Sequence, residues 1–174
     1  LENQTGYALV LAGNIPFITS KTLQDLVEYC INGNYDAVAL SALFEKPDGY
    51  GRIVRDISGD FDRIVEHKDA TEEEKLIKEV NSSIYCFSIP VLLDGLSKLE
   101  NNSPQGEYYL TDVLGILKSQ GNSIGVYTVY DSTEIMGINT RIQQAKAQKI
   151  MNRRINFGHL EKGVTLIDPD NTYI

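Results

Sequence analysis

The sequence is short of the residues that several kinds of chemistry require. It has two cysteines, two histidines and only 16 basic residues against 24 acidic ones, giving a net charge of −8 and a pI near 4.7. Cys30 and Cys86 are too few and too far apart for a metal site or a disulfide framework. Both stand among apolar neighbours, so reduced core thiols and a cytoplasmic setting are expected. The deficit of Lys and Arg argues against nucleic acid as a partner, because phosphate backbones are held by clustered positive charge. The longest apolar stretch, around Ala8 to Ala12, is far below the roughly 20 residues of a membrane span. No charged-then-apolar leader precedes it, so no membrane partner is expected. The sequence also contains no Gly-x-Gly-x-x-Gly or Walker-type loop, no internal repeat and no low-complexity tract.

What is present suits one domain. A chain of 174 residues that is 42% hydrophobic is long enough to bury about 70% of its unfolded surface. Tyr7 to Ala12 is a short apolar run ending at Gly13, the pattern of a strand buried on both faces in a parallel sheet. Leu23, Leu26, Val27 and Cys30 follow a helical period, with Thr19 and Ser20 as caps in front and Gly33 behind. A strand is predicted over Asp36 to Phe44, then paired strands over Arg52 to Asp56 and Phe61 to Glu66. Thr71 to Glu74 has capping-box spacing, so a short helix is expected to about Lys78, with a strand over Ser82 to Phe87 beyond it.

Two helices carry Ile89, Leu92, Leu93 and Leu96, then Leu110, Val113, Leu114 and Leu117. Ile124 to Tyr130 reads as a strand, Thr140 to Ile155 as a long helix ending near Gly158, and Val164 to Ile167 as a last short strand. Arg141, Lys146, Lys149, Arg153 and Arg154 recur at helical spacing around Ile142, Ala145, Ile150 and Met151, which makes them a solvated helix face. Strands alternating with helices predict an α/β sandwich. In open α/β sheets ligands bind beyond the carboxyl ends of strands, which singles out the loops starting at Gly13, Glu66, Gly106 and Gly137.

Two of these regions carry more than packing explains. In Gly49-Tyr50-Gly51-Arg52-Ile53-Val54-Arg55 the missing Cβ atoms let a ligand approach the main chain, and Ile64-Val65-Glu66-His67-Lys68-Asp69-Ala70-Thr71 delivers a carboxylate just past an apolar pair. Asn14 is either a turn residue capping its own backbone or a polar ligand at a strand's carboxyl end. Asn139 suits the N-cap of the long helix, Asn81 a turn at a strand edge, and Tyr108 and Tyr109 packing at a helix start. His67 and His159 are read as surface or hydrogen-bonded residues, with no Ser-His-Asp or Cys-His constellation around them.

Taken with Gln105-Gly106-Glu107-Tyr108-Tyr109-Leu110-Thr111-Asp112 and Gly137-Ile138-Asn139-Thr140-Arg141, these runs are similar to a known family over nearly all 174 residues. The chain resembles the uridylyltransferase domain of bacterial bifunctional N-acetylglucosamine-1-phosphate uridylyltransferase/glucosamine-1-phosphate acetyltransferases. The resemblance implies a Rossmann-like nucleotide-diphospho-sugar transferase fold, with a mixed, mostly parallel sheet flanked by helices. It implies UTP and N-acetylglucosamine 1-phosphate as substrates, UDP-N-acetylglucosamine as product and Mg²⁺ as cofactor. Gly51, Glu66, Asn81, Tyr109, Thr111 and Asn139 match the family's sugar contacts and the wall around them. Asn14 and Asn139 match its metal ligands, but the family has an Asp where Asn14 stands. Phosphoryl transfer depends on positioning and charge neutralisation, so no catalytic side chain is assigned.

The resemblance further implies that residues 1–158 are part of a nucleotidyltransferase domain and 159–174 the lead-in to a left-handed β-helix. That β-helix, which holds full-length relatives together as trimers, and the amino-terminal nucleotide loop are not in the sequence. The chain begins at Leu1 rather than Met, so a piece of a longer polypeptide is expected, with a sheet edge open to self-association.

Overall fold

The computed structural model describes residues 4–99 and 108–174. Among them the strands are β1 (Tyr7–Val10), β2 (Ala37–Leu43), β3 (Arg52–Arg55), β4 (Phe61–Val65), β5 (Glu79–Ser88) and β6 (Ile124–Val129). The helices are α1 (Ser20–Asn32), α2 (Glu72–Lys75), α3 (Ile89–Ser97), α4 (Leu110–Ser119) and α5 (Arg141–Glu161), with a 3₁₀ turn at Ser132–Ile135. The sheet order is β4-β3-β5-β2-β6, and β1 pairs with β5 off this path.

β5 organises the sheet because it is long enough to serve three neighbours. Its first half pairs with β3 through Val80 and its second half with β1 through Tyr85 to Ser88, while β2 runs along its other edge. The apolar run of β2 explains its central place. Val38, Leu40 and Ala42 face α1, packing with Leu26, Cys30, Ile84 and Cys86. Ala37 and Ala39 face the other way, toward Phe87, Leu92, Val113, Leu114 and Leu117 of β5, α3 and α4. The period of two along the strand thus separates two cores, one on each face. Gly95 lets α3 and α4 close together, since a Cβ there would stand 2.8 Å from Val113 Cγ1.

Several expectations are corrected. The α/β sandwich stands, but the sheet is not mostly parallel: only the β2–β6 pair is parallel among the described strands. β1 is antiparallel to β5 and alternates exposed and half-buried positions, with Tyr7 and Leu9 on the outside. A four-residue apolar run cannot announce which way its neighbour points or whether both faces are covered. β5 starts three residues earlier than expected, which puts Asn81 inside the strand. α2 ends at Lys75, because the Lys78 carbonyl is taken by the Phe44 amide at 2.9 Å.

α5 runs unbroken through Gly158 to Glu161. The glycine that turns the chain at positive φ is Gly163, where the Gly163 amide donates to the Leu160 carbonyl and the Val164 amide to the His159 carbonyl. Val164 to Ile167 forms no strand. The basic face of α5 is exposed as expected, but Ile142 is exposed with it. The buried positions of this helix are Ala147, Asn152 and Asn156. Polar anchors hold it in place of an apolar stripe. Asn156 donates to the Pro169 and Thr172 carbonyls, and Arg154 to the Phe17 carbonyl at 3.1 Å. Cys30 and Cys86 are both free and buried.

Candidate functional site

Four loops converge at one end of the sheet. The turn after β1 brings Asn14, and the turn before β3 brings Asp48, Gly49, Tyr50 and Gly51. The end of β4 supplies Glu66, and the loop ahead of α5 supplies Gly137, Asn139 and, one turn into the helix, Gln143. With Asn81, Ser82 and Ser83 of β5 they line a cleft of about 200 Å³. An adjoining hollow of about 350 Å³ shares Glu66 and Ser83 and is walled by Tyr85, Tyr109 and Thr111. Gly51, Glu66, Asn81, Asn14 and Asn139 are therefore brought together, and Tyr109 and Thr111 sit next door across Glu66. Gln105 to Glu107 of the quoted motif lie outside the described residues.

Gly51 sits against Glu66 and Ile64, and only Ile64 would be crowded by a side chain there. A Cβ at residue 51 would stand 3.4 and 3.5 Å from the two Glu66 carboxylate oxygens and 3.3 Å from Ile64 Cγ2. The Gly51 carbonyl accepts the Asn81 amide at 2.9 Å, which fixes the turn against β5. Burial pushes the Glu66 carboxyl above its ordinary pKa. The Thr111 hydroxyl and the Lys68 charge act against this, while Asp69 and Asp112 add to it. Asp112 is itself raised, by burial and then by Asp69. Lys68 donates to the Tyr109 hydroxyl at 2.7 Å and lies 5.0 Å from its ring centre, tying the loop after Glu66 to the start of α4.

Asn81 is buried, and its amide nitrogen donates to the Tyr85 hydroxyl at 2.8 Å while its oxygen accepts the Ser83 amide at 3.2 Å. Burial raises the Tyr85 hydroxyl to about 12, so it stays protonated. Ser83, beside both hollows, has φ of 60°, a left-handed conformation uncommon for a residue with a Cβ. Such strain collects at binding sites. Ser83→Val should cost about 1–3 kcal/mol in urea unfolding and Ser83→Gly nothing, since only the branched side chain aggravates the backbone. Equal stability of the two variants would remove the strain.

The loop ahead of α5 is pinned from three sides. The Ile138 amide donates to the Asn14 carbonyl at 2.9 Å, the Gly137 amide to the Tyr50 hydroxyl at 3.1 Å, and Asn14 Nδ2 to Asn139 Oδ1 at 2.8 Å. Asn139 is not the helix cap. Thr140 takes that place in a capping box with Gln143, whose side chain also receives the Asn139 amide. Nor does Asn14 cap its own turn with its side chain, which reaches across to Asn139.

The two amides do not fit Mg²⁺. Neither carries charge, the Asn139 oxygen already accepts the Asn14 N–H, and a cation prefers carboxylate oxygen there. Among the described residues no three His, Cys, Asp or Glu side chains come together as a metal site.

The whole chain aligns with the bifunctional protein GlmU of Clostridium acetobutylicum at 49% identity and with that of Acetivibrio thermocellus at 51%. The chain is a relative of GlmU. It spans 38% of the length of each of these curated relatives. No family model matches it. Among solved structures, CMP:2-keto-3-deoxy-manno-octonic acid synthetase complexed with CTP superposes with a TM-score of 0.62. That match covers 85% of this chain and 62% of the synthetase at 16% identity, which establishes a shared Rossmann-like α/β fold.

The GlmU likeness draws attention to the residues it matches and misses three that shape the cleft. Tyr50 was visible inside a quoted motif, but its hydroxyl bond to Gly137 spans 87 residues. Gly137 reads in the sequence only as a loop start. Ser83 carries no local signal, since a serine in a strand does not advertise a positive φ.

Proposed function

We propose that this chain supplies the sugar-phosphate side of a nucleotidyltransferase making UDP-N-acetylglucosamine and pyrophosphate from UTP and N-acetylglucosamine 1-phosphate. One observation carries the reading: Gly51, Glu66, Asn81 and Asn139, drawn from four separate segments, line a single cleft. Similarity of the whole of this chain to part of proteins named GlmU supports the reading. In this reading a phosphate oxygen of the sugar phosphate attacks the α-phosphorus of UTP in line and pyrophosphate leaves. The chain's contribution is to hold the attacking group in place. Glu66 accepts sugar hydroxyls, the Gly51 turn admits the ring close to the main chain, and Tyr109 and Thr111 bound the far side.

Mg²⁺ belongs to this reading as the cation that accompanies the UTP phosphates, not as an ion held between Asn14 and Asn139. The reading also places the protein in the cytoplasm. It takes residues 1–158 as the nucleotidyltransferase part, residues 159–174 as the approach to a β-helix, and a trimer as the assembly. No helix among the described residues is long and apolar enough to cross a membrane.

Calorimetry with UDP-N-acetylglucosamine tests the assignment. Saturable heat is expected, and a folded sample giving none would overturn it. The amide pair favours a second reading, a sugar-nucleotide-binding module that does not turn over. Pyrophosphate release separates the two, because sustained release removes the module and binding without release establishes it.

A further inference from the structure

Arg52, the residue after Gly51, is 1% exposed and is the only cation buried among the described residues. No carboxylate forms an ion pair with it among those residues. Its Nε is buried without a hydrogen-bond partner. Burial lowers its pKa, and the charge of Asp48 acts against this. A cation taken out of water with no paired counter-ion costs stability, so folding alone gives little reason for it.

Its contacts supply a reason. Nη1 donates to the Tyr50 carbonyl, and Nη2 donates to His67 Nδ1 and to the Lys75 carbonyl, each at 3.4 Å. The first acceptor belongs to the turn that carries Gly51. The other two bracket the segment that starts at Glu66 and ends with α2. Tyr50, Gly51 and Glu66 line the cleft, whereas Arg52, His67 and Lys75 do not, so the guanidinium reaches the cleft only through its neighbours.

Strand pairing leaves this tie to be made. Arg52 and Val65 are the last paired residues of the β3–β4 hairpin, so Gly51 and Glu66 lie one residue beyond its register. The Asn81 amide holds Gly51 to β5 at 2.9 Å, and Arg52 joins that anchored turn to the Glu66 segment. A planar fork with several donors suits a bridge among three acceptors.

We infer that Arg52 is a positioning residue for the sugar site: its guanidinium bridges the turn before β3 and the segment from Glu66 to α2, and so holds the Glu66 carboxylate against Gly51. The inference rests on the sugar-phosphate reading above and adds to it a residue outside the cleft.

The test compares the purified parent protein with Arg52→Met and Arg52→Lys, by calorimetry with UDP-N-acetylglucosamine, thermal melting and amide hydrogen exchange. Methionine fills much of the space without the charge. Removing a buried unpaired cation offsets the lost bonds, so Arg52→Met should melt within about 4 °C of the parent. Its affinity should nevertheless fall by about tenfold, as for one misplaced charge-assisted hydrogen bond. Exchange should quicken at residues 47–51 and 66–75 while β2 and β5 keep their protection. Arg52→Lys keeps the charge, but one compact ammonium cannot span the three acceptors, so it should bind as weakly as Arg52→Met.

A lysine variant that binds like the parent would make charge the cause and overturn the bridge. Parental affinity in the methionine variant, or parental exchange in both segments, overturns it too. So does a methionine variant that melts far below the parent with protection lost in β2 and β5, because Arg52 would then serve the fold and not the site. In each of these cases binding by the parent leaves the sugar reading standing. A parent protein that binds no UDP-N-acetylglucosamine removes that reading and the positioning role together.

Discussion

Replacing Glu66 with glutamine should stabilise the folded protein at neutral pH and weaken its hold on an N-acetylglucosamine ligand by about tenfold or more. Both effects come from the same burial. The carboxyl group is half-buried between two hollows, and the Thr111 hydroxyl and Lys68 offset the repulsion of Asp69 and Asp112 without cancelling the larger cost of burial. Its pKa in the folded chain therefore lies above the ordinary 4.5. A raised folded-state pKa means the folded form binds the proton more tightly than the unfolded form. Its contribution to stability is complete below the unfolded value and is lost as pH rises through the folded one.

Glutamine has the same shape and no charge, so the melting-temperature advantage of the variant should grow from about pH 4 to about pH 7. Binding moves the other way, since a carboxylate accepts two charge-assisted hydroxyl bonds and an amide offers a single neutral acceptor. A variant that melts lower than the parent at neutral pH, or binds the sugar as well, would show that the charge is neither a burden nor a ligand.

Phe87→Ala is the substitution expected to cost most in stability, about 3–5 kcal/mol. Such a loss is a large part of the roughly 5–15 kcal/mol that holds a domain together. Phe87 is fully buried on β5, with its ring centre 5.7 Å from that of Tyr85 and the side chains of α3 and α4 above it. Its register partners are Ala8 on β1 and Ala37 on β2. Small residues on both flanks mean that no neighbour can swing in to fill the gap, so the cavity term is kept in full. Phe87→Leu retains most of the volume and should lose about a third as much. Urea unfolding of the pair measures both, and a cost under about 1 kcal/mol for the alanine variant would contradict the packing of this face.

The consequence reaches the cleft, because β5 carries Phe87 near one end and Asn81 near the other. Loosening the strand frees the Asn81 bonds to Tyr85 and Ser83 on which one wall of the cleft depends.

Much of this arrangement is legible in local sequence. α1 follows from the period of Leu23, Leu26, Val27 and Cys30 with Thr19 in front, and the structure caps it through the Thr19 side chain and closes it at Gly33. α4 buries Val113, Leu114 and Leu117 as its spacing requires. The Arg52 and Phe61 strands pair as a hairpin. The order Gly51, Glu66, Asn81, Asn139 is also visible as a family pattern. Less legible were the edges of elements and the sense of pairing. β1 has the composition of a strand buried on both faces, and antiparallel pairing at a partly exposed edge leaves the same composition. Gly158 offers the same local signal as Gly163, and only the hydrogen bonds of the last turn choose between them.

The existence and order of most strands and helices were determined by the sequence itself, because each depends on residues a few positions apart. The division of β2 between two cores, Val38, Leu40 and Ala42 on one face and Ala37 and Ala39 on the other, is set by what packs on each face. The cleft was decided only in three dimensions. Asn14 meets Asn139 across 125 residues and Tyr50 meets Gly137 across 87, so neither bond leaves a trace in any local window.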